Sequence, residues 1–242
     1  MRNIKIVLEY DGTKFSGWQV QPAERTVQGT LETAIERFLA KKIRVTGAGR
    51  TDTGVHALGQ VANFHIDNNY DTKTIKDALN ANLPEDVFIK EASEESHSFH
   101  SRFDALSRTY IYRISKKYSV FNRNFTWLYG SKLNIDRMNE GCKSLLGPND
   151  FTSFTVVKSK KENMIMNIIR CMFNETEEEI VLTVESDRFL HKSVRAIMGT
   201  LILLGRSKLD VADIKKILLA RNRKEAGRTV PAQGLFLKEV KY

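Results

Sequence analysis

The sequence predicts an α+β fold with a largely antiparallel sheet. Strand-like and helix-like segments are interspersed, yet two strand-like segments often follow each other directly, which disfavours a doubly wound parallel sheet. The order of segments in the first part of this 242-residue chain is repeated in the second part. These two observations predict two similar halves, residues 1–105 and residues 106–242.

The first half is predicted from hydrophobic periodicity and from turn residues. Apolar and polar residues alternate from Ile4 to Leu8, which predicts a strand that ends at Asp11-Gly12. A helical period from Thr26 to about Ala40 predicts a helix with Thr26 as its N-cap. The remaining predicted elements are a short strand at Ile43–Thr46, a strand at Gln60–Ile66, a helix at Thr72–Asn82 and a strand at Val87–Glu91.

The second half follows a similar order. Alternating residues predict a strand at Thr109–Ile114, and Gly147-Pro148 is expected to stop a helix that begins at Asn134. The later elements are a hairpin of Met164–Phe173 and Glu179–Glu185, helices at Phe189–Gly205 and Val211–Ala220, and a closing strand at Leu235–Val240.

The charge of the chain indicates a polyanionic partner. The formal net charge is +9 and the isoelectric point is near 9.5, and basic proteins are drawn to nucleic acids. Any single cluster of Lys and Arg is typical of a solvated face, but the clusters together predict a polyanion track. They are Arg102, Arg108, Arg113, Lys116 and Lys117; Lys158, Lys160 and Lys161; Arg188, Lys192 and Arg195; and Arg221, Arg223, Lys224 and Arg228.

Several classes of protein are disfavoured by composition. No apolar run reaches the roughly 18 residues that a membrane-spanning helix needs. Cys142 and Cys171 lie far apart in the sequence, and no histidine joins a cysteine or carboxylate at metal-ligand spacing. We therefore expect no metal and no disulfide framework, and a protein of the reducing cytoplasm.

The loop from Gly47 to His56 contains the strongest candidate for chemistry. Its glycines permit tight turns, and Arg50 lies two residues before Asp52. A carboxylate beside a guanidinium stays ionised and can act as a nucleophile or a general base. An aspartate in a glycine-rich loop more often caps a turn, and the pattern alone favours that second role.

A dinucleotide-binding turn is excluded for this loop. That motif requires a third glycine or alanine at its sixth position, at the start of a helix. Asp52 occupies this position here, and the segment that follows is predicted to be a strand. A negative charge would stand where the pyrophosphate must bind, so a nucleotide-dependent oxidoreductase is disfavoured.

Aromatic residues are interleaved with the basic ones between residues 99 and 127. Such rings suit unstacked bases, although most of them are expected to belong to the core. Tyr110 stands out because it neighbours Arg108, and its phenol could stack on a base or donate a hydrogen bond. The full set is Phe99, Phe103, Tyr110, Tyr112, Tyr118, Phe121, Phe125 and Trp127.

Eight motifs in order resemble those of the bacterial tRNA pseudouridine synthase A family. The resemblance covers nearly the whole chain, and eight motifs in the family's order are far more specific than one. They are Glu9-Tyr10-Asp11-Gly12 with Phe15-Ser16-Gly17-Trp18-Gln19, Gly49 to His56, Asn80 to Pro84, Phe99 to Phe103, Arg108 to Tyr112, Asp150 to Phe154, Phe189 to Arg195, and Pro231 to Leu235.

The resemblance implies roles for four residues of this chain. Asp52 matches the catalytic aspartate, which acts as the nucleophile, and Tyr110 matches the tyrosine that contacts the target base. Arg195 matches the arginine that pairs with the aspartate, and Arg50 matches a loop arginine that helps to hold the RNA. In this family, the second histidine of a His-His-Met-Val-Arg motif often stands where this chain has Lys192, and alanine is common where this chain has Thr53.

The resemblance also implies the reaction and the architecture. The expected reaction converts uridine to pseudouridine at positions 38 to 40 of the tRNA anticodon stem-loop, without cofactor or metal. The expected fold is two RRM-like, ferredoxin-like halves that share one central antiparallel sheet, and the expected assembly is a homodimer. The alternative from another class is a non-catalytic RNA-binding module of two RRM-like halves, which would not need the Arg50, Asp52, Tyr110 and Arg195 set.

Overall fold

A computed structural model describes residues 1–156 and 163–242. It divides into two compact units, which we call the first unit (Met1–Leu106 with Phe236–Tyr242) and the second unit (Ser107–Leu235). The final strand therefore belongs to the first unit, although its place in the chain assigns it to the second half. The α+β class with a mostly antiparallel sheet is confirmed, and the interpretation of each half as RRM-like stays a prediction.

The described residues form the following strands and helices. The strands are β1 (Arg2–Tyr10), β2 (Thr46–Gly47), β3 (His56–Ile66), β4 (Val87–Glu95), β5 (Ser107–Ser115), β6 (Trp127–Leu128), β7 (Gly147–Asp150), β8 (Ile165–Glu175), β9 (Glu179–Ser186) and β10 (Leu235–Lys241). The helices are α1 (Val27–Leu39), α2 (Thr72–Asn82), α3 (Ile135–Lys143), α4 (Ser193–Gly205) and α5 (Val211–Ala220).

The sheet of the first unit has β1 at its centre. Strand β1 pairs antiparallel with β3 on one side and with β4 on the other. Strand β10 runs parallel to β3, and the short β2 pairs antiparallel with β3. Ile4, Ile6 and Leu8 of β1 are fully buried, as expected for alternate residues on the core face of a strand.

The sheet of the second unit is a meander with one parallel edge. Strand β9 pairs antiparallel with β5 and with β8, and β8 pairs antiparallel with β7. The two-residue β6 runs parallel to β5. The predicted hairpin of β8 and β9 is thus confirmed, whereas the short strands β6 and β7 were not predicted.

Helix boundaries agree with the prediction where a side-chain cap fixes them. Thr26 accepts a hydrogen bond from the Gly29 amide at the start of α1, and Asp71 accepts one from the Thr74 amide at the start of α2. Helix α5 begins after Asp210 with a reciprocal capping box. These caps are encoded within three residues of the helix start, and pattern analysis therefore finds them.

The strand predicted at Ile43–Thr46 is wrong for most of its length. Only Thr46 and Gly47 pair as a strand. The Val45 amide donates to the Glu32 carboxylate at 3.0 Å, and the Val45 carbonyl accepts from the Gln28 side chain at 3.1 Å. Polar side chains of α1 thus take the hydrogen bonds that a neighbouring strand would have taken.

Two helices are shorter than their apolar patterns predict. Helix α4 begins at Ser193 rather than Phe189, because Lys192 has a left-handed backbone with φ of +62° and an α-helix cannot pass through that conformation. Helix α3 ends at Lys143. The Leu145 and Leu146 amides bond to carbonyls three residues back, and Gly147 then turns with φ of +80° into β7.

No helix among residues 1–156 and 163–242 is long and apolar enough to cross a membrane. The basic cluster of Lys158, Lys160 and Lys161 lies outside the described residues.

Asn80 of α2 joins this helix to the edge strand β4. Its side-chain amide donates to the Ile89 carbonyl at 2.9 Å and its oxygen accepts from the Ile89 amide at 2.8 Å. At this point the pairing of β1 with β4 shifts register by one residue. The asparagine therefore satisfies both polar groups of a strand residue, which gives a structural reason for the Asn80 to Pro84 motif.

We expect Asn80→Ala to lower the free energy of unfolding by about 1–3 kcal/mol, because two main-chain groups lose their partners. Asn69→Ala, at an exposed loop position, is the matched control and is expected to change it by less than about 0.5 kcal/mol. Urea unfolding followed by circular dichroism measures both. Equal, small effects in the two variants would contradict this role for Asn80.

Candidate active site

The loop that carries Asp52 begins where β2 leaves the sheet of the first unit. The Ala48 amide donates to the Val61 carbonyl at 2.8 Å. The Gln60 side chain, which is fully buried in β3, donates to the Gly49 carbonyl at 2.9 Å. The first arm of the loop is therefore bound to β3 just before Arg50.

The segment from Tyr10 to Trp18 holds the centre of the loop. The Trp18 amide donates to the Thr51 carbonyl at 3.1 Å, and the Tyr10 and Thr51 hydroxyls form a 2.8 Å hydrogen bond. Burial raises the pKa of the Tyr10 phenol, so this group stays neutral. The residue immediately before Asp52 is thus fixed through both its main chain and its side chain.

The loop closes with a main-chain turn after Asp52. The Val55 amide donates to the Asp52 carbonyl at 3.2 Å, and the Gly54 amide donates to the Phe15 carbonyl at 3.3 Å. Gly54 has a positive φ of +75°, which glycine adopts without steric cost. The hydrogen bond from the Val55 amide involves the main-chain carbonyl of Asp52 and not its carboxylate.

Two glycines of the amino-terminal signature let the chain approach the loop this closely. Gly17 has φ of +92°, and a Cβ atom there would stand 2.6 Å from the Thr51 carbonyl oxygen. A Cβ atom at Gly12 would overlap the Val55 carbonyl. The signature therefore supports the loop, a role that motif comparison alone did not assign to it.

His56 is a structural residue at the end of the loop. Its side chain is 1% exposed and its ring stacks on Phe236 with centroids 4.6 Å apart. Its Nδ1 atom accepts from the Gly12 amide at 3.0 Å and lies 3.2 Å from the Asp11 carboxylate. Since the amide already donates to Nδ1, we assign the ring proton to Nε2 and treat the Asp11 contact as proximity rather than an ion pair.

The two predicted site residues of the first unit differ in exposure. Asp52 is half-buried and Arg50 is exposed, both in the loop between β2 and β3. The half-buried carboxylate thus stands on a backbone that is held at Thr51, Gly54 and Val55. Such a group can act as a nucleophile or a base without reorganisation of the loop.

Tyr110, one of the two predicted site residues of the second unit, lies on strand β5. Tyr110 and Tyr112 are two residues apart on β5, so their rings lie on one face. Tyr110 is 7% exposed, and its ring packs edge-on against Phe189 at a centroid distance of 5.0 Å. The Tyr112 hydroxyl donates to the Pro231 carbonyl at 2.8 Å.

Arg195 lies in the first turn of α4 and is held by Val230. Its Nε atom donates to the Val230 carbonyl at 2.8 Å, and the Val230 amide donates back to the Arg195 carbonyl at 3.3 Å. Burial raises the pKa of Tyr112, while the charges of Arg195 and Arg228 oppose that rise. Two guanidinium groups therefore lie near the aromatic face of β5.

The segment that holds Arg195 packs closely on α4. A Cβ atom at Gly199 would overlap the Arg228 carbonyl, and one at Gly227 would stand 2.5 Å from the Gly199 backbone. The Gly227 amide also donates to the Thr200 hydroxyl at 2.9 Å. Glycine at both positions lets the two backbones touch, which fixes Val230 relative to Arg195.

Among residues 1–156 and 163–242, no group of three or more histidine, cysteine and carboxylate side chains is arranged to hold a metal ion. The predicted site residues of the first unit are a carboxylate and an arginine, and those of the second unit are a tyrosine and an arginine. A carboxylate suits acid–base and nucleophilic chemistry, and tyrosine and arginine suit the binding of an anionic, aromatic substrate.

Comparison with known proteins identifies the family. A family model described as tRNA pseudouridine synthase matches residues 6–104 and 142–242. The chain is 44% identical to a tRNA pseudouridine synthase A of Thermosipho melanesiensis, and the alignment covers 99% of each chain. It is 40% identical to that of Clostridium acetobutylicum over 100% of each chain, and 41% identical to that of Thermotoga sp. over 99% of each.

The chain belongs to the tRNA pseudouridine synthase family. The resemblance derived from the eight motifs is therefore confirmed, and with it the enzyme class, since this is a family of isomerases. The roles assigned to individual residues of this tRNA pseudouridine synthase stay predictions.

Sequence analysis of this tRNA pseudouridine synthase missed Tyr10 and Gln60. Both lie beside the Asp52 loop, and the Gln60 side chain opposes the rise in the pKa of the Tyr10 phenol. A glutamine at the apolar end of a predicted strand is a usable signal, because a buried amide must find partners. The identity of those partners depends on contacts across more than ten residues, which periodicity does not reveal.

We expect Gly17→Ala to lower the free energy of unfolding by roughly 1–3 kcal/mol, because a side chain strains the positive-φ backbone and meets Thr51. Pseudouridine formation should fall further than stability explains, since the same contact positions Asp52. Gly130→Ala is the matched control, because a Cβ atom there has no neighbour within 4 Å. Urea unfolding and a turnover assay on one tRNA transcript test both variants, and full activity in folded Gly17→Ala would refute the positioning role.

Proposed function

We propose that this enzyme converts uridine to pseudouridine in the tRNA anticodon stem-loop, at positions 38 to 40, with Asp52 as its nucleophile. The observation that carries the proposal is the half-buried Asp52 on a loop whose neighbouring main-chain groups are bound on both sides. The family supports the reaction type, and the motif resemblance supports the position in the tRNA.

The chemistry needs a carboxylate and no redox change. The bond between uracil N1 and the ribose C1′ atom breaks, the base turns, and a bond forms between C5 and C1′. The C5 atom releases its proton and N1 gains one, so atoms and charge balance. Asp52 attacks as an anion, either at the base ring or at C1′, and both routes are compatible with a fixed carboxylate.

The target base must leave the helical stack before Asp52 can reach it. This step costs a few kcal/mol, and it costs least where pairing is weak, as at the loop end of a stem. We assign Tyr110 to contact with the flipped base, since its ring lies on the same face of β5 as Tyr112. Burial raises the pKa of Tyr112, and the charge of Arg195 opposes this rise. The packing of Tyr110 on Phe189 would keep its ring from turning when the base arrives.

We assign Arg195 to orienting the Asp52 carboxylate and Arg50 to holding the RNA. The bond from Arg195 Nε to the Val230 carbonyl fixes the direction of the guanidinium, and a fixed guanidinium matches a carboxylate with two parallel hydrogen bonds. Arg50 is exposed beside Asp52, which suits a phosphate contact. We also propose a cytoplasmic homodimer that uses no cofactor, as the family resemblance implies.

Asp52→Asn is expected to abolish turnover while tRNA binding stays within about two-fold of wild type, because the variant keeps the shape of the side chain and loses the nucleophile. The assay uses a tRNA transcript with tritium at uridine C5, which the reaction must release to water. Asp77→Asn is the control, since Asp77 is an exposed residue of α2 paired with Lys73. Loss of binding equal to the loss of turnover would contradict a chemical role.

Binding should depend on salt, because phosphate contacts release counterions. We expect the logarithm of the affinity for tRNA to fall linearly with the logarithm of the salt concentration, and Arg50→Ala to reduce the slope by about one. Lys73→Ala, which removes an exposed cation already paired with Asp77, should leave the slope unchanged. A flat salt response, or the same slope in wild type and Arg50→Ala, would contradict the phosphate contact.

The basic clusters are expected to contribute unequally to this slope. Arg113 pairs with Glu179, Lys116 with Glu175, and Arg221 with Asp150. An arginine or lysine that already neutralises a carboxylate gains less from a phosphate than one without such a partner. We therefore expect fewer basic residues to contact phosphates than the sequence alone predicts.

A further inference from the structure

A large aromatic side chain lies in water in the turn that joins β4 to β5. The Phe103 side chain belongs to the first unit and is 74% exposed. Single exposed apolar residues are common on protein surfaces and need no function. The turn that carries Phe103 is nevertheless held by several hydrogen bonds to the strands beside it and to Tyr242.

Ser101 fixes this turn to three parts of the first unit. Its amide donates to the Asn63 side chain of β3 at 3.0 Å, and its hydroxyl donates to the Thr46 carbonyl of β2 at 2.7 Å. Its carbonyl accepts from the Tyr242 hydroxyl at 2.7 Å. Ser101 is fully buried, so the turn moves as one body with the strands that carry the Asp52 loop.

His100 fixes the Phe103 ring within the turn. The two rings stack with centroids 4.3 Å apart and an interplanar angle of 30°. His100 accepts main-chain hydrogen bonds from Phe103 and Asp104 at its carbonyl, and from Arg102 and Phe103 at Nδ1. The His100 amide in turn donates to the Asp104 carboxylate at 2.8 Å. The histidine is thus immobilised and supports the exposed phenylalanine.

A cation accompanies the exposed ring. The Arg102 guanidinium lies 5.6 Å from the Phe103 ring centroid. An exposed aromatic ring with an arginine close to it is an arrangement that suits an unstacked nucleotide, because the ring stacks on the base and the cation attracts the phosphate. A ring that is already packed on a histidine loses less conformational entropy on association.

We propose that Phe103, supported by His100 and accompanied by Arg102, is a stacking platform for an unpaired base of the tRNA substrate. The proposal rests on the tRNA substrate of the proposed function and adds a contact outside the four residues assigned above. The competing occupant is a second protein surface, since Leu106 nearby is also 68% exposed. The arginine beside the ring and the positive charge of the chain favour RNA over an apolar protein face.

Three substitutions at Phe103 separate stacking from general apolar contact. We expect Phe103→Ala and Phe103→Leu both to weaken tRNA binding by about 5-fold to 150-fold, the range measured when one base–aromatic stack is lost. Phe103→Trp should retain or improve binding, and its indole emission should be quenched when tRNA is added. Phe88→Ala is the matched control, because Phe88 is a half-exposed phenylalanine on β4 of the same unit.

Filter binding with an unmodified tRNA transcript measures the affinity, and sedimentation velocity measures the assembly state of each variant. Binding by Phe103→Leu equal to wild type would refute stacking, as would equal losses in Phe88→Ala and Phe103→Ala. A change in assembly state in Phe103→Ala, with affinity per protomer preserved, would assign the ring to a protein interface and overturn the proposal.

The tritium-release assay separates this inference from the proposed function. Wild type that releases tritium while Phe103→Ala binds tRNA normally would refute the platform and leave the function intact. Wild type that neither binds the transcript nor releases tritium would refute the proposed function. In Phe103→Ala we expect release at saturating tRNA to stay within about two-fold of wild type, since the ring contributes to binding and not to the chemical step.

Discussion

The pair of contacts that Thr51 makes with Tyr10 and Trp18 is the constraint on which the candidate site depends. One contact uses the Thr51 carbonyl and the other its hydroxyl, so the backbone next to Asp52 is held from two directions. The turn after Asp52 closes through its carbonyl. The position of the loop therefore depends on main-chain groups and on neighbours of the aspartate.

Strand β3 holds both the Asp52 loop and the turn that carries Phe103. Its Gln60 binds the Asp52 loop, and its Asn63 binds the turn that presents Phe103. Both side chains are buried, and a buried amide without partners costs about 1–3 kcal/mol. A slip of β3 by one residue would break both sets of bonds and turn each of its side chains to the opposite face of the sheet. The register of the sheet thus fixes the loop and the turn together.

The sequence predicts those features whose causes lie within a few residues. Asp71 and Asp210 cap α2 and α5 locally, and both helices begin where the pattern places them. The prediction fails at Val45, whose hydrogen-bond partners Gln28 and Glu32 lie on α1. Asp52 is recognisable from its motif, whereas the support from Tyr10 requires knowledge of a contact across 41 residues.

The two departures from the family pattern fall at positions of different kinds. Thr53 is exposed beside Asp52, so packing does not limit the size of its side chain. Lys192 has a left-handed backbone, which costs roughly 1–2 kcal/mol for most residues and which histidine adopts more readily than lysine. Val230 contacts the Arg195 side chain through its carbonyl and the Arg195 carbonyl through its amide. A lysine at position 192 can therefore change the stability of the turn before α4, whereas these two contacts with Val230 involve no group of residue 192.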